Sequence, residues 1–294
     1  MLSTSQRKAL KAWVFAARRA YVRAFRSFTR DDLLQALRAM GLREGDALML
    51  HSGFSQFNGF AGTIDDLTDV FLQAVGPQGH LLMVSLPYRD STYGYLQRAR
   101  KFDVRHTPSM MGMVSEMFRR RPGVLRSAHP THPVAVAGPR AAWFVQDHPG
   151  SVHPCGPGSP FERLAQADGK IGFFDVTFDT FTFFHYLEHL VHESLPFRLY
   201  TQQVFEVPVI DALGQTSRVR THAYDPPAIA RRRFDLFEAE LRSRGAIATR
   251  RIGNASMEIV RAADSIACTL DMARAGRYFY DLSPDAGPAA SPPG

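Results

Sequence analysis

The sequence is poor in cysteine and has no long apolar run. Cys155 and Cys268 are its two cysteines in 294 residues. A disulfide framework is therefore excluded as the basis of the fold, and the two thiols fit a reducing, cytoplasmic environment. No stretch approaches the roughly 18 apolar residues that a membrane span requires. With 45% hydrophobic and 21% charged residues, the composition is that of a globular protein with a core.

Acidic residues are absent from the first 30 positions. The chain holds 35 basic and 28 acidic residues, and eight of the basic residues precede Asp31. The remainder therefore carries 27 basic against 28 acidic residues and is close to neutral. Because the excess positive charge is confined to one arm, the body of the protein is not expected to bind nucleic acid.

Residues 1–28 are predicted to form a basic amphipathic helix. Its apolar side chains recur at helical spacing: Leu10, Trp13, Val14, Ala17, Tyr21 and Phe25. We expect this helix to dock on the body of the protein with its charges in water. Two alternatives stay open, namely contact with an anionic membrane or a partner protein, and the role of an arginine-rich transit segment. Arginines interrupt the apolar stretch, so a secretory signal is not indicated.

Strand-like and helix-like patterns alternate through residues 29–275. This alternation predicts a single α/β domain with a mixed central sheet sandwiched by helices. A late β-hairpin is predicted over residues 201–219, and residues 87–105 are predicted to be a loop. Residues 283–294 are rich in Pro, Ala, Gly and Ser, and we expect a disordered tail there.

The segment from His185 to His189 carries the strongest chemical signal. On a helix, His185 and Glu188 share a face. An imidazole beside a carboxylate suits a general base, because the carboxylate fixes the tautomer and stabilises the imidazolium that forms. The same segment fits the metal-binding pattern H-x-x-E-H, with Glu258 as a further ligand. A surface helix with scattered histidines is the third interpretation.

Two other segments place reactive side chains in rigid loops. His129 and His132 flank a proline-restricted turn before a strand, where either could belong to a site or cap the loop. Cys155 lies in a loop rich in proline and glycine with His153 nearby. We favour a structural role for Cys155, because nothing in the sequence argues for a lowered thiol pKa.

Two further groups of residues are candidates for ligand binding. One group follows a predicted strand, and the other precedes a predicted helix. In α/β sheets, ligands bind beyond the carboxyl ends of the strands. A helix that begins with proline and a serine cap can bind an anion at its N-terminus. The residues at these two places are His51, Ser52 and Ser55, and Ser109, Met111 and Gly112. An ordinary loop and an ordinary cap are the structural alternatives.

Taken in order, several blocks of the sequence resemble the aminoglycoside 3-N-acetyltransferase family. The blocks are residues 50–52, 107–112, 120–132, 154–163, 168–170 and 179–188. They include Thr-Pro-Ser-x-Met-Gly, Ser-x-His-Pro-Thr-His, Pro-Cys-Gly-Pro-Gly-Ser-Pro and Asp-Thr-x-Thr-x-x-His-x-x-Glu. The resemblance implies an α/β fold, acetyl-CoA as donor, and direct transfer of the acetyl group to an amine without a covalent enzyme intermediate.

The resemblance also implies roles for individual residues. It makes His185 the base, Glu188 its carboxylate and His129 a second active-site candidate, and it places Asp179 and Thr182 in the acceptor pocket. The residues implied to line the acetyl-CoA channel are His51, Ser52, Ser55, Ser109, Met111 and Gly112. No metal is expected, since the histidine and the glutamate then have a metal-free role. The partner is a small-molecule amine, and a homodimer stays open.

The chain departs from the family pattern around Asp179. Phe181 stands where relatives carry a polar residue, Asp175-Val176-Thr177 replaces a glycine-rich turn, and Gly53 replaces a second serine. Aminoglycosides are polycations that favour several carboxylates, so this aromatic block predicts a less charged amino sugar as an acceptor beside the aminoglycosides. A metal-dependent hydrolase and a non-catalytic binding protein on the same fold are the competing functions.

Overall fold

The computed structural model describes residues 3–283. Of the predicted disordered tail, residues 284–294 lie outside the described residues. The α-helices of the described part are α1 (Thr4–Phe25), α2 (Arg30–Ala39), α3 (Ile64–Val75), α4 (Thr92–Arg98), α5 (Met113–Phe118), α6 (Ala141–Val145), α7 (Pro160–Gln166), α8 (Phe184–Val191), α9 (Pro226–Ala230), α10 (Phe234–Ser243) and α11 (Ala262–Arg274). Its strands are β1 (Ala47–Ser52), β2 (His80–Val84), β3 (Phe102–Asp103), β4 (Leu125–Arg126), β5 (Val134–Ala137), β6 (Lys170–Phe174), β7 (Tyr200–Ile210), β8 (Thr216–Tyr224), β9 (Ile247–Ile252) and β10 (Ala255–Arg261).

A mixed sheet forms the centre of the described residues, with strand order β4-β5-β2-β1-β6-β10-β9. The middle strands β2, β1 and β6 are parallel. The outer strands on both sides pair antiparallel. The three parallel strands end together at one edge of the sheet, the place where α/β sheets bind ligands.

Helices cover both faces of this sheet. Side chains of β1 alternate between the faces, as the geometry of a strand requires. Ala47 and Met49 face a core shared with α6, α7, α8, α10 and α11. Leu48 and Leu50 face a second core shared with α2, α3 and α5. The predicted α/β class with a mixed central sheet between helices is confirmed.

Local capping interactions fix both ends of α3. Thr63 precedes α3, and its hydroxyl accepts a hydrogen bond from the backbone N–H of Asp66 at 3.1 Å. The Asp66 carboxylate returns a bond to the backbone N–H of Thr63 at 2.9 Å. Gly76 ends the helix at φ 70°, where a side chain would be strained. These reciprocal bonds satisfy backbone groups that a helix end would otherwise leave free.

The predicted late hairpin forms outside the central sheet. β7 and β8 pair antiparallel, and β3 joins β7 in a second, three-stranded sheet of the described residues. The antiparallel strands of the central sheet come instead from β4–β5 and from the β9–β10 hairpin. The interpretation of residues 87–105 as a loop is also wrong, since they contain α4 and β3.

The N-terminal helix forms but does not dock by its apolar face. Val22 is the one buried residue of α1. Phe15 meets the Phe57 ring edge-on at 4.8 Å, and the Arg18 guanidinium lies 4.5 Å from the same ring. The expectation of a docked apolar face is therefore wrong, because the helix is held by a narrow contact at its C-terminal half. Within residues 3–283, no helix is long and apolar enough to cross a membrane.

Candidate active site

His185 and Glu188 meet on one face of α8. Nδ1 of His185 lies 2.8 Å from Oε2 of Glu188. Phe184 and Leu187 are fully buried in the core and fix the orientation of the helix. Because a carboxylate accepts hydrogen bonds, Nδ1 carries the ring proton and Nε2 keeps its lone pair. The pair predicted from spacing on the sequence is therefore formed.

Two residues far along the chain hold Glu188 in place. Arg232, just before α10, donates from Nε to Oε1 and from Nη2 to Oε2, each at 2.6 Å. Tyr280 donates its hydroxyl proton to Oε1. A guanidinium fork that bonds both carboxylate oxygens is among the strongest polar contacts in proteins. We call His185, Glu188, Arg232 and Tyr280 the carboxylate cluster.

The charges in the carboxylate cluster depend on each other, because Glu188 has no exposed surface. Burial alone would raise the pKa of Glu188, but the Arg232 charge and the hydrogen bonds from His185 and Arg232 hold it below its usual value. Burial, and then the Arg232 charge, lower the pKa of His185, and Glu188 opposes part of that shift. At neutral pH the pair is thus a carboxylate and a neutral imidazole.

A cavity of about 230 Å³ lies at the ends of β1, β2 and β6, and no member of the carboxylate cluster is among the described residues that line it. Five residues proposed from the sequence line it: His51, Ser52, Met111, Asp179 and Thr182. Thr182 connects the cavity to α8, since its carbonyl accepts the backbone N–H of His185 at 3.1 Å. The structure therefore brings five of the eight residues predicted for donor and acceptor binding to one cavity, and Thr182 lies three residues before His185 along the chain.

His51 lines this cavity and, within residues 3–283, has a buried polar atom without a partner. Its side chain is buried, stacks on Phe173 at 5.4 Å, and leaves Nε2 without a hydrogen-bond partner among the described residues. Burial lowers the pKa of His51 to about 3, so the ring is neutral. A buried polar atom without a partner costs about 1–3 kcal/mol unless a ligand satisfies it. An amide of the pantetheine arm fits this requirement.

Three other residues predicted for the acetyl-CoA channel lie outside the cavity lining. The backbone N–H of Ser55 donates to the Asp175 carboxylate at 2.7 Å. The Ser109 hydroxyl pairs with the Ser115 hydroxyl at 3.0 Å. Gly112, at φ 104°, directly precedes α5. Ser109 is therefore not the helix cap that the sequence predicted, and a role of these three residues in binding stays a prediction.

His129 is enclosed by protein groups on both ring nitrogens. Nε2 donates to the Ser151 carbonyl at 3.2 Å, Nδ1 accepts from the Thr131 hydroxyl at 3.2 Å, and the side chain has no exposed surface. His132 is instead the histidine of this segment that reaches the site, with its ring 5.2 Å from that of His185. These contacts are those of a buried structural histidine. A catalytic role for His129 stays a prediction without support from the structure.

The aromatic block after Asp179 belongs to the core. Phe181, Phe183 and Phe184 are at most 1% exposed and pack with other phenylalanines. The aromatic block therefore gives no support to the predicted less charged acceptor, because none of these rings is among the described residues that line the cavity. The replacement of serine by Gly53 has a steric reason, since a Cβ there would lie 2.5 Å from the Asp175 carbonyl oxygen.

Four further histidines gather around Tyr200, and we call them the imidazole cluster. They are His153, His189, His192 and His222, with ring centroids 4.4–6.3 Å from that of Tyr200. His189 follows His185 by one helical turn, and its Nδ1 lies 3.1 Å from the Tyr200 hydroxyl. The two histidines of the H-x-x-E-H pattern thus join different clusters.

The remaining groups proposed for other chemistry are engaged elsewhere. Both carboxylate oxygens of Glu188 accept hydrogen bonds from Arg232. The Glu258 carboxylate accepts a hydrogen bond from Arg242 at 2.6 Å. No group of three ligating side chains among residues 3–283 has metal-site geometry. Burial raises the pKa of the Cys155 thiol well above its usual value, as expected for a structural cysteine. These contacts do not favour the metal-dependent hydrolase.

Arg232 and Tyr280 are site residues that the sequence did not single out. Arg232 lies within a run of three arginines, a pattern typical of a solvated surface. Tyr280 is 92 residues from Glu188 along the chain. Neither Arg232 nor Tyr280 lies at a helical or strand spacing from Glu188. Their contacts with Glu188 are therefore visible only in the tertiary structure.

The sequence matches a family model for aminoglycoside 3-N-acetyltransferase over residues 49–274. Aminoglycoside N(3)-acetyltransferase IX of Micromonospora chalcea is 28% identical over 190 residues, which cover 60% of this chain and 67% of that protein. Aminoglycoside N(3)-acetyltransferase IV of Salmonella sp is 26% identical over 260 residues, which cover 88% of this chain and 92% of that protein.

Solved structures are similar over nearly their whole length. A structure of AAC-IIIb in binary complex with CoASH has a TM-score of 0.71 and 26% identity, and the match covers 87% of this chain and 99% of that one. A structure of sisomicin-bound AAC-VIa has a TM-score of 0.71 and 26% identity, covering 85% of this chain and 99% of that one. The predicted enzyme class, an acetyl-CoA-dependent N-acetyltransferase, is confirmed. The chain belongs to the aminoglycoside 3-N-acetyltransferase family.

Proposed function

We propose that the chain acetylates an amine of a sugar-like small molecule by direct transfer, with His185 as the general base. The observation that carries this proposal is the 2.8 Å contact between Nδ1 of His185 and the buried carboxylate of Glu188. That contact leaves Nε2 with a lone pair, next to a segment that lines the cavity. A surface histidine would have neither a fixed tautomer nor a buried counter-charge.

The proton transfer follows from this arrangement. Acetyl-CoA supplies an activated acetyl group as a thioester. An acceptor amine is largely protonated at neutral pH and must lose a proton before its nitrogen can attack the carbonyl carbon. Nε2 of His185 takes this proton, and Glu188 stabilises the resulting imidazolium. As the N–C bond forms and the C–S bond breaks, His185 returns this first proton to the leaving sulfur. The attacking nitrogen must then lose a second proton to become an amide; the regenerated base takes it and releases it to solvent, so that the products are the amide, the free thiol and one proton.

The two sides of the cavity suit the two substrates. His51 and Ser52 at the end of β1 offer hydrogen-bonding groups for the pantetheine arm, and Met111 offers an apolar wall. Asp179 is the one carboxylate among the described residues that line the cavity. A single carboxylate favours an acceptor with few positive charges over a polycation. An aminoglycoside is the second candidate, because the related AAC-VIa binds sisomicin.

The proposal is tested by thiol release from acetyl-CoA in the presence of aminoglycosides and of amino sugars with a single amine. We expect acceptor-dependent release that falls by at least ~10²-fold in His185→Ala, the size of a general-base contribution. His189→Ala is the matched control, one turn away on α8, and should stay within about threefold of wild type.

Two results would overturn the assignment of the base. One is a His185→Ala variant that keeps its activity, and the other is an equal loss in both variants. A response to polycationic acceptors alone would refute the preference for a less charged amino sugar and leave His185 as the base.

A further inference from the structure

The helix α1 presents an apolar stripe to solvent. At about 100° per residue, the stripe occupies an arc of about 120° on the helix surface. Its members, with their exposed fractions where large, are Leu10 (49%), Trp13 (69%), Val14 (51%), Ala17, Tyr21 (53%) and Phe25 (72%). Isolated exposed apolar residues are ordinary, but a continuous stripe over most of a 22-residue helix marks an interaction surface.

The contacts that hold α1 lie on another face of the helix. Phe15 and Val22, which contact the body of the protein, are within about 20° of each other on the helix and at least about 60° from any member of the stripe. The stripe is therefore left free when the helix is attached. α1 also precedes residue 49, where the family match begins, so it adds a surface to the matched region.

The rest of the helix surface is basic. Seven cationic side chains occupy it. At about 100° per residue, Arg7, Lys11 and Arg18 border one edge of the stripe, and the other four, Lys8, Arg19, Arg23 and Arg26, lie on the opposite face. All seven are exposed, and among residues 3–283 none of them forms an ion pair with a carboxylate. Two such helices packed stripe to stripe would bring like charges together, whereas a negatively charged surface would neutralise them.

We propose that α1 binds the surface of an anionic lipid bilayer. The helix lies in the plane of the interface, with the stripe at the boundary of the acyl chains and the basic side chains among the headgroups. Trp13 and Tyr21 suit this depth, because their rings are apolar with one polar edge. The charge pattern decides in favour of lipid over a second copy of the chain. This inference is independent of the proposed acetyl transfer.

The test uses the full chain and vesicles of two compositions. One is phosphatidylcholine alone, and the other is phosphatidylcholine and phosphatidylglycerol in equal parts. In a Trp143→Phe background, Trp13 is the remaining indole, so a blue shift of its fluorescence reports insertion. Co-sedimentation gives the partition coefficient. We expect binding and a blue shift with the mixed vesicles and little of either with phosphatidylcholine alone.

Two double variants that change the net charge equally test whether binding depends on the charges of α1 or on the net charge of the protein. Lys8→Glu with Lys11→Glu should weaken partitioning by at least about 25-fold, since each basic residue near an anionic surface contributes about fivefold. Arg250→Glu with Arg251→Glu changes the net charge equally on the exposed strand β9 and should leave partitioning unchanged.

A third double variant tests the apolar stripe. Leu10→Ser with Phe25→Ser should weaken partitioning by at least about tenfold while the thermal unfolding midpoint stays constant.

Three results would overturn the proposal. They are no binding to the mixed vesicles, equal binding to both compositions, and equal weakening by the α1 and β9 charge variants. A fourth result would identify a second copy of the chain, and not lipid, as the partner of the stripe. If light scattering detects a dimer that Leu10→Ser with Phe25→Ser abolishes, and no vesicle binding occurs, the stripe is an interface between copies of the chain.

Discussion

One turn of α8 supplies histidines to two clusters that differ in their counter-charge. His185 faces Glu188, which Arg232 and Tyr280 hold from two other parts of the chain. His189, four residues later, faces Tyr200 and other imidazoles. Both rings are largely withdrawn from water, so burial alone does not distinguish them. The two histidines differ instead in whether a buried carboxylate contacts the ring.

The counter-charge determines what each imidazole can do with a proton. Burial, and then neighbouring histidines, lower the pKa of His153 and of His189 to about 4. No carboxylate hydrogen-bonds to these two rings among residues 3–283, so an imidazolium there would have no stabilising partner. In the carboxylate cluster, Glu188 can stabilise the imidazolium of His185. Proximity of histidines therefore builds a packed aromatic surface, and a carboxylate turns one histidine into a base.

The largest effect is expected when the carboxylate itself is removed. Glu188→Gln keeps the shape but leaves the Arg232 charge buried without a counter-ion. We expect the free energy of unfolding to fall by roughly 3–5 kcal/mol and kcat to fall at least ~10²-fold, since the orientation of His185 is lost. His189→Gln, the matched change in the imidazole cluster, should alter kcat by less than about threefold.

Denaturant unfolding and steady-state kinetics measure both effects. The comparison fails if Glu188→Gln retains wild-type kcat, or if His189→Gln is equally damaging. A double variant, Glu188→Gln with Arg232→Met, should recover part of the lost stability, because no isolated charge stays buried, but it should recover no activity.

Acid should destabilise the fold in two steps, first through its neutral buried histidines and then through Glu188. An unfolded histidine binds a proton below a pKa of about 6.5, whereas folded His153 and His189 stay neutral to about 4. The unfolded chain then binds more protons, so stability falls as pH falls from about 6.5 towards 4. The buried His148, with its pKa lowered to about 4 by burial, adds a slope of up to about 1.4 kcal/mol per pH unit.

Within the carboxylate cluster, His185 has a lowered pKa and contributes to the loss of stability in the same range as the other buried histidines, whereas Glu188 contributes at lower pH. The pKa of Glu188 is below its usual value, so its stabilisation is present above the unfolded pKa near 4.3 and is lost as pH falls through the folded value. Urea midpoints measured at a series of pH values from 7 to 4 should therefore decline before Glu188 titrates. A midpoint constant down to pH 4.5 would contradict the assignment of neutral buried histidines.

The smallest effect is expected at the outer support of the carboxylate. Tyr280→Phe removes one hydroxyl donor to Glu188, and the loss of a hydrogen bond to a charged group costs about 1.5–3 kcal/mol. Arg232 still holds both oxygens, so we expect kcat to fall only several-fold. Tyr200→Phe, which removes the hydroxyl beside His189, should leave kcat unchanged. Equal effects of the two variants on kcat would break the comparison.

Local patterns on the sequence predicted the parts of the molecule that local forces decide. The alternation of strand and helix patterns predicted the α/β class, and helical spacing predicted the pairing of His185 with Glu188. Arg232 and Tyr280 could not be predicted, because the fold brings them to Glu188 across 44 and 92 residues. The β9–β10 hairpin was missed because exposed arginines in β9 hide the alternation of a strand.

The central claim concerns the tautomer of a single ring, and nitrogen-15 NMR of the histidine side chains at pH 7 tests it most directly. The His185 signals are identified by their loss in His185→Gln. Our account predicts a neutral ring with the proton on Nδ1 and an unprotonated Nε2. A ring that is charged at pH 7, or that carries its proton on Nε2, would contradict the assignment of His185 as the base.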